Sequence, residues 1–558
     1  MKKERCYFFV VLLVCAKLVN ASCPSTCSCS NSTSGFYVNC YSKSFESIPD
    51  LPNDTYNLNF AYNSIHDIDV KFCEKMPLLQ TIYIYNNLIE EITNETFANC
   101  HQLITLYIYN NLIEEIPNAT FKDCHQLITL DIDDNKLKSI AKMDFSSLRQ
   151  LRTLDLSGNA IEYMHPEAFR NLTSLKTLDL RSNAIEFIHP EAFHNLTSLE
   201  KLDLSSNEIE AINPEVFRNL TSLERLDLGS NKIHNIEENT LRHLPNLRYL
   251  FMEENNISSI NSISFQEMPN LYYLYLQNNR ITDIPRDTFY NLSQLYRLYL
   301  FNNKIQSIES DTFDNMTHLY YLHLSNNEIS TIKQPAFTNL PKLQYLHLNY
   351  NKIQSIESNT FVNMTNLHYL YLQNNEISTI QPLAFINIPR LYTLYLFNNK
   401  IQFIQSYTFV NMTNLYNLDR LLSATITARQ TPGMHNPRIS AQTVRNRLRE
   451  AGDESRFRLR RSDGRMRVYR RQNERYADAC VHECDRFGGG GGGMMDNGRC
   501  HVVRVRRRHQ PPESVNQLRA ALMEEWNNIS QAFIQRLIGS MRRRLTAVIN
   551  ARGGHTRY

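Results

Sequence analysis

The chain is 558 residues long and 42% apolar, a content that excludes wholesale disorder. Its formal charge of +3 conceals an asymmetry, because lysine and arginine are mixed up to about residue 420 and beyond it lysine is absent while arginine is frequent. That switch in cation usage points to two sequence origins in one chain, with a basic tail behind a balanced body.

Residues 1–21 have the form of a secretory signal, with Lys2, Lys3 and Arg5 at the positive start and an apolar run over Tyr7–Ala16. Val19 and Ala21 suit cleavage before Ser22. The apolar run is too short to span a bilayer, and no later stretch approaches 18 apolar residues, so no membrane span is expected. The chain is therefore expected outside the cell, where its cysteines meet oxidising conditions.

Cys23, Cys27, Cys29 and Cys40 follow in the spacing C-P-x-x-C-x-C-x(10)-C. Four cysteines allow three connectivities, and spacing alone leaves all of them open. A zinc site is the competing reading.

From residue 51 to 419 the text repeats. Fifteen asparagines stand 24 residues apart, from Asn63 and Asn87 to Asn375 and Asn399, each closing the phrase L-x-x-L-x-L-x-x-N-x-I. A strict period of this length marks a solenoid. In "LDLSGN" the alternation points Leu154 and Leu156 inward and Asp155 and Ser157 outward from a short strand. Asn159 stands where the strand bends, placed to satisfy backbone groups of neighbouring turns in a buried ladder. The second half of each repeat returns along the convex side, with Ile161 and Phe169 buried. Cys100 and Cys124 occupy the position of Leu172, Leu196 and Leu220 and are expected as small buried hydrophobes, a disulfide between adjacent turns being the lesser reading. Cys73, close to the phenylalanine column, is expected to be structural.

These motifs resemble extracellular leucine-rich repeat proteins of the 24-residue type, over about two thirds of the chain, and Toll-type ectodomains and variable lymphocyte receptors are similar. The resemblance implies an α/β fold, a leucine-rich repeat solenoid curved into a horseshoe with a parallel sheet on the concave face. A poorly ordered, partly helical C-terminal region is expected after it. Residues 22–50 resemble the family's cysteine-rich N-terminal cap, which implies pairs Cys23–Cys29 and Cys27–Cys40.

Glycosylation signals are dense, at Asn31, Asn53, Asn94, Asn118, Asn171, Asn195, Asn219, Asn256, Asn291, Asn315, Asn363 and Asn411. Seven of them (171, 195, 219, 291, 315, 363, 411) fall at one convex position, so sugars there would leave the concave sheet free. "N-L-T" is also simply the text of this repeat.

The outward residue between the strand leucines forms a column across the concave face. Asp131, Asp155, Asp179, Asp203 and Asp227 make an acidic ladder along it, which is first of all the ordinary "LDLS" strand text of such repeats, neutralised locally by Lys176, Arg181, Lys201 and Arg225, and otherwise suits a basic partner or a divalent cation. Further on the column becomes aromatic at Phe251, Tyr275, Tyr299, Tyr371 and Tyr395, interrupted by His323 and His347. The next column adds Tyr249, Tyr273, Tyr321, Tyr345 and Tyr369, and Phe301 and Phe397 extend the zone. Tyrosine supplies large, rigid, amphipathic contact area, so this zone is the expected ligand site. No convergent base, nucleophile or enclosed pocket accompanies it, and neither catalysis nor a metal or cofactor is expected.

After residue 419 the repeat breaks off, with Arg420 where a leucine belongs. From about 427 the text resembles a mariner-like transposase. Residues 431–452 are similar to its helix-turn-helix, with Ser440 capping a helix and Arg445, Arg447 and Arg449 offered to DNA. Residues 453–558 match pieces of its catalytic domain, which places Asp453 and Asp496 at the first two metal-binding carboxylates. The strand before Asp453 and the third carboxylate are missing, and Gly488–Gly493 replaces most of the intervening fold. Cys480, His482, Cys484, Cys500 and His501 resemble a zinc grouping in composition alone. Residues 420–558 are thus expected to be an inactive fragment, and nucleic acid a partner only through it. The function expected of the whole is recognition of an extracellular protein or glycan on the concave face. The alternative is a transposase-derived DNA-binding protein.

Overall fold

The computed structural model describes residues 22–418, except 142–144, 146, 338, 403–407, 410–411, 413 and 416. The expected signal at 1–21, the Asn411 sequon and everything assigned to 420–558, including Arg445, Arg447, Arg449, Asp453 and Asp496, lie outside the described residues.

Two antiparallel strands, β1 (Ser28–Ser32) and β2 (Gly35–Asn39), open the described chain. β2 then pairs in parallel with β3 (Thr55–Asn59), and every later strand of this 18-stranded sheet is parallel to its neighbours. The strands are short, usually three residues, and each is displaced from the next by one repeat, as in Thr177↔Lys201 and Lys201↔Arg225. The register follows from the leucines: a slip of one residue would turn each out to solvent. Leu154, Leu178, Leu202 and Leu226 are accordingly buried in one line. Behind the sheet the chain returns through turns and two-residue parallel pairs such as Ser307–Ile308 with Thr331–Ile332. The one helix among the described residues is the single turn Phe72–Lys75, so the α/β expectation holds in the sheet and has little helix in the return segments.

A phenylalanine column runs through the interior. Phe97, Phe121, Phe145, Phe169 and Phe193 stack at 5.6 to 6.4 Å between ring centroids. Leu241 interrupts the column, which resumes from Phe265.

The asparagine ladder is present. Asn207 Nδ2 donates to the carbonyls of Leu180 (2.9 Å) and Leu204 (3.1 Å), while its Oδ1 accepts the Ile185 N–H at 3.1 Å. Asn231 in turn donates to the same Leu204 carbonyl at 2.9 Å, so each carbonyl is shared by two asparagines. The residue before each ladder asparagine takes a left-handed turn, at Asn110, Asn278, Asn302 and Asn398 among others. Gly158 holds that place with φ +65°, where a Cβ would lie 2.2 Å from Asp134 Oδ1. Ser157, expected to face outward, is only 2% exposed, because the strand turns inward at this point and its N–H is tied to Asp155 Oδ1 at 3.0 Å.

Cysteine chemistry departs from expectation at one place. Cys23–Cys29 and Cys27–Cys40 are both bonded as the resemblance implied. Cys100, however, is not a free buried hydrophobe but is bonded to Cys73, with Cα atoms 5.0 Å apart. In the helical turn at 72–75 it is Phe72 that stacks on Phe97, while Cys73, 24 residues before Phe97, is buried beside it and bonds to Cys100. Cys124 alone of the described cysteines stays free; it is buried, and burial pushes its thiol up to about 12.

Candidate functional site

The strands place their outward residues in straight rows one repeat apart, so adjacent side chains meet face to face. In the aromatic zone this makes continuous stacks. Phe251, Tyr275 and Tyr299 stack at 4.7 Å each, and Tyr345 stacks on Tyr369 at 4.6 Å. Tyr249 meets Tyr273 edge-on at 5.4 Å, Tyr299 meets Tyr321 at 5.2 Å, and Tyr371 meets Tyr395 at 5.5 Å. All ten of these expected site aromatics are half-buried, each packed against its neighbour in the row face to face, tilted or edge-on.

Phe301 is the exception and a correction: it is 7% exposed. It lies deeper, with the His323 ring 4.5 Å away, so it supports the site and offers no surface of its own.

Two histidines complete the zone. His323 and His347 lie 4.4 Å apart and continue into Tyr371 at 4.3 Å. Burial holds His323 down to about 4 and His347 well below the ordinary imidazole value. Both are therefore neutral members of the aromatic row at physiological pH. A third stack, Tyr272, Tyr296 and Tyr320, flanks the zone at 5.0 and 4.7 Å. Each stands one residue before the column of Tyr249, Tyr273 and Tyr321, outside the alternation that points strand residues outward. Tyr272 also borders an open groove of about 910 Å³ that runs by Glu224, Asn246 and Arg248.

The acidic ladder adjoins this zone. Arg225 marks the border, pairing with Asp227 at 2.8 Å and lying 4.1 Å over the Phe251 ring. Burial, and after it Asp155 and Asp203, pushes the Asp179 carboxyl up to about 7 against the pull of Arg181. Burial likewise pushes Glu253 up to about 7. Asp131 and Asp133 are both raised, first by burial and then by neighbouring carboxylates. Asp133 and Glu253 belong to a third outward column that the aspartate count had missed.

The shift of Asp179 has a consequence for stability. Its folded value lies above its ordinary 3.8, so the folded chain keeps a proton that the unfolded chain releases. That contribution is complete below about pH 4 and is lost as pH rises through about 7. Asp179→Asn is therefore expected to gain stability relative to the native chain between about pH 4 and about pH 8, read from denaturation midpoints. A difference that stays constant with pH would mean an ordinary, solvated carboxylate.

A second aromatic cluster, not singled out from sequence, lies at the N-terminal end. Tyr85 and Tyr109 stack at 4.3 Å, Tyr83 and Tyr107 at 5.3 Å, and Tyr62 stands over Tyr85 at 5.7 Å. The described sequon asparagines are exposed or half-buried and none lies in the core.

The leucine rich repeat family model matches ten overlapping segments from 55–113 to 365–419, more than half of the chain. The chain belongs to the leucine rich repeat family. Among curated relatives, Leucine-rich repeat-containing protein 3 of Danio rerio is 33% identical over 89 residues, 16% of this chain and 34% of that protein. Leucine-rich repeats and immunoglobulin-like domains protein 1 of Homo sapiens is 32% identical over 82 residues, 14% of this chain. The chain thus spans about a third of the first relative and 7% of the second. Among solved structures, a leucine rich repeat protein of Leptospira interrogans aligns with TM-score 0.54 and 27% identity, over 65% of this chain and 89% of its own. The Toll–Spatzle complex of Drosophila aligns with TM-score 0.58 and 22% identity, over 65% of this chain and 50% of its own. The plant peptide hormone receptor RGFR1 in complex with RGF2 gives TM-score 0.53 at 24% identity, over 66% of this chain and 59% of its own. At these identities the last two establish the shared leucine rich repeat fold and nothing finer.

Proposed function

We propose that the chain is a secreted, glycosylated recognition protein that binds a protein ligand on the aromatic part of its concave face, without catalysis. The reading rests on one observation above others, the half-buried lattice of Tyr249, Tyr273, Tyr275, Tyr299, Tyr321, Tyr345, Tyr369, Tyr371 and Tyr395. A row of amphipathic aromatics of this extent is costly to leave in water without a partner. Part of its ring faces is taken up by mutual stacking, at 4.7 Å for Tyr275 on Tyr299 and 4.6 Å for Tyr345 on Tyr369. Rings engaged with one another in this way suit a protein surface better than a sugar that needs an open face, and a glycan is the second choice. Two folds of this kind, Toll and RGFR1, are found in complexes with Spatzle and RGF2.

In the same reading residues 1–21 are a signal peptide and residues 22–50 a disulfide-bonded cap for the first turn. Three disulfides fit an extracellular place, and no helix among the described residues is long and apolar enough to cross a membrane. The acidic ladder, with Asp155 and Asp203, would face basic groups of the same ligand. Residues 420–558 are read as an inactive transposase-like fragment, and a transcript sequenced across 410–435 tests whether that join is real.

The site is tested with a photo-cross-linking residue at position 299, and a control at position 187, where Phe187 is 63% exposed on the return segment. Cross-links to one extracellular protein from 299 and none from 187 are expected. Equal labelling from both positions would remove the concave site.

A further inference from the structure

We propose that His101, Asp123 and His125 form a binding site for one divalent transition-metal ion of the zinc class. The three residues come from two consecutive turns, and their ligand atoms all lie within 4.8 Å of one another. The imidazoles of His101 and His125 are nearly parallel, 17° apart, with centroids 6.4 Å apart. Neither ring holds a hydrogen bond to another group among the described residues, so their nitrogens remain available as donors.

The scaffold is firm where a site needs it. Cys100, directly before His101, is fully buried and bonded to Cys73, and Cys124, directly before His125, is fully buried too. Asp123 is held from behind, its Oδ2 accepting the Asn99 N–H at 2.8 Å, which leaves Oδ1 for an ion. A carboxylate oriented by a second hydrogen bond is the usual support of a metal ligand. The three residue types do not follow from the repeat: threonine, serine or proline usually stands at the place of His101, and asparagine at the place of Asp123.

Two imidazoles and one carboxylate suit zinc, with bond lengths near 2.0–2.1 Å that set ligand atoms about 3.3 Å apart in a tetrahedron. Both histidines are exposed, so small side-chain rotations close the remaining distance. Exposure also leaves the fourth position to water or to a group on another molecule, the arrangement of an open rather than a closed site.

The test uses the full chain, stripped with chelator and titrated with Co²⁺ and then Zn²⁺, followed by calorimetry and visible absorption. One ion per chain is expected at micromolar concentrations, with ligand-field bands and no thiolate charge transfer, which would instead mark cysteines in the tail. The double variant His101→Ala with His125→Ala is expected to lose the site, and Asp123→Asn to weaken it by about tenfold or more. Unchanged circular dichroism in the variants confirms that the fold stands. Absence of binding in the native chain overturns the proposal, and so does a double variant that binds the ion as well as the native chain.

Discussion

Asn207→Ala is expected to destabilise the solenoid by about 3 kcal/mol, since a buried backbone group left without a partner costs ~1–3 kcal/mol and more than one group is affected here. The Ile185 N–H loses its acceptor outright, while the Leu180 and Leu204 carbonyls each lose one of two donors, keeping Asn183 and Asn231 respectively. Because each carbonyl is shared between ladder members, the loss weakens the two neighbouring turns as well. Asn207→Asp discriminates further. It keeps an acceptor for Ile185 but sets a carboxylate against two carbonyls, so its stability should recover in acid, where a protonated carboxyl donates again. Chemical denaturation at pH 7 and in acid measures both variants. A change below about 0.5 kcal/mol, the range of an ordinary surface substitution, would mean that the ladder is packing and not hydrogen bonding.

Cys73→Ala with Cys100→Ala is expected to cost about 3.5 kcal/mol, the loop-closure value for the 27-residue separation of this bond. In a stacked array each turn contacts only its neighbours, so the effect should be local. Hydrogen exchange should speed up around Phe72, Phe97 and Phe121 while turns beyond Leu241 keep their protection. Uniform acceleration along the chain would contradict this nearest-neighbour picture, and no acceleration at all would mean that the stacked rings at 5.8 and 5.6 Å suffice alone.

The fold was legible because its determinants repeat. Leu178 or Asn207 can be placed from one period, and burial with the shared carbonyl bonds confirms each. What breaks the period was not legible. Cys73 lies 27 residues from Cys100, where the 24-residue column of Cys100 has Met76, so the period alone does not pair them. The aromatic zone was legible as columns of letters, but depth was not. Phe301 and Phe397 share a column, yet Phe301 is buried under its neighbours and Phe397 is half-exposed near the end of the described array. His323 and His347 read as interruptions of the aromatic row; burial makes them members of it by keeping them neutral. Asp133 and Glu253 escaped because a column-wise count of aspartates ignores a carboxylate two residues along the chain.

The concave aromatic surface is expected to be the ligand site, and its own ligand tests that most directly. Once a ligand has been cross-linked at position 299, its affinity for the native chain is compared by calorimetry with that for the triple variant Tyr273→Ala, Tyr299→Ala and Tyr321→Ala. Buried aromatic anchors of this type contribute ~2 kcal/mol or more each when truncated, so a loss of at least about a hundredfold is predicted, with circular dichroism unchanged. An affinity equal to that of the native chain would contradict it.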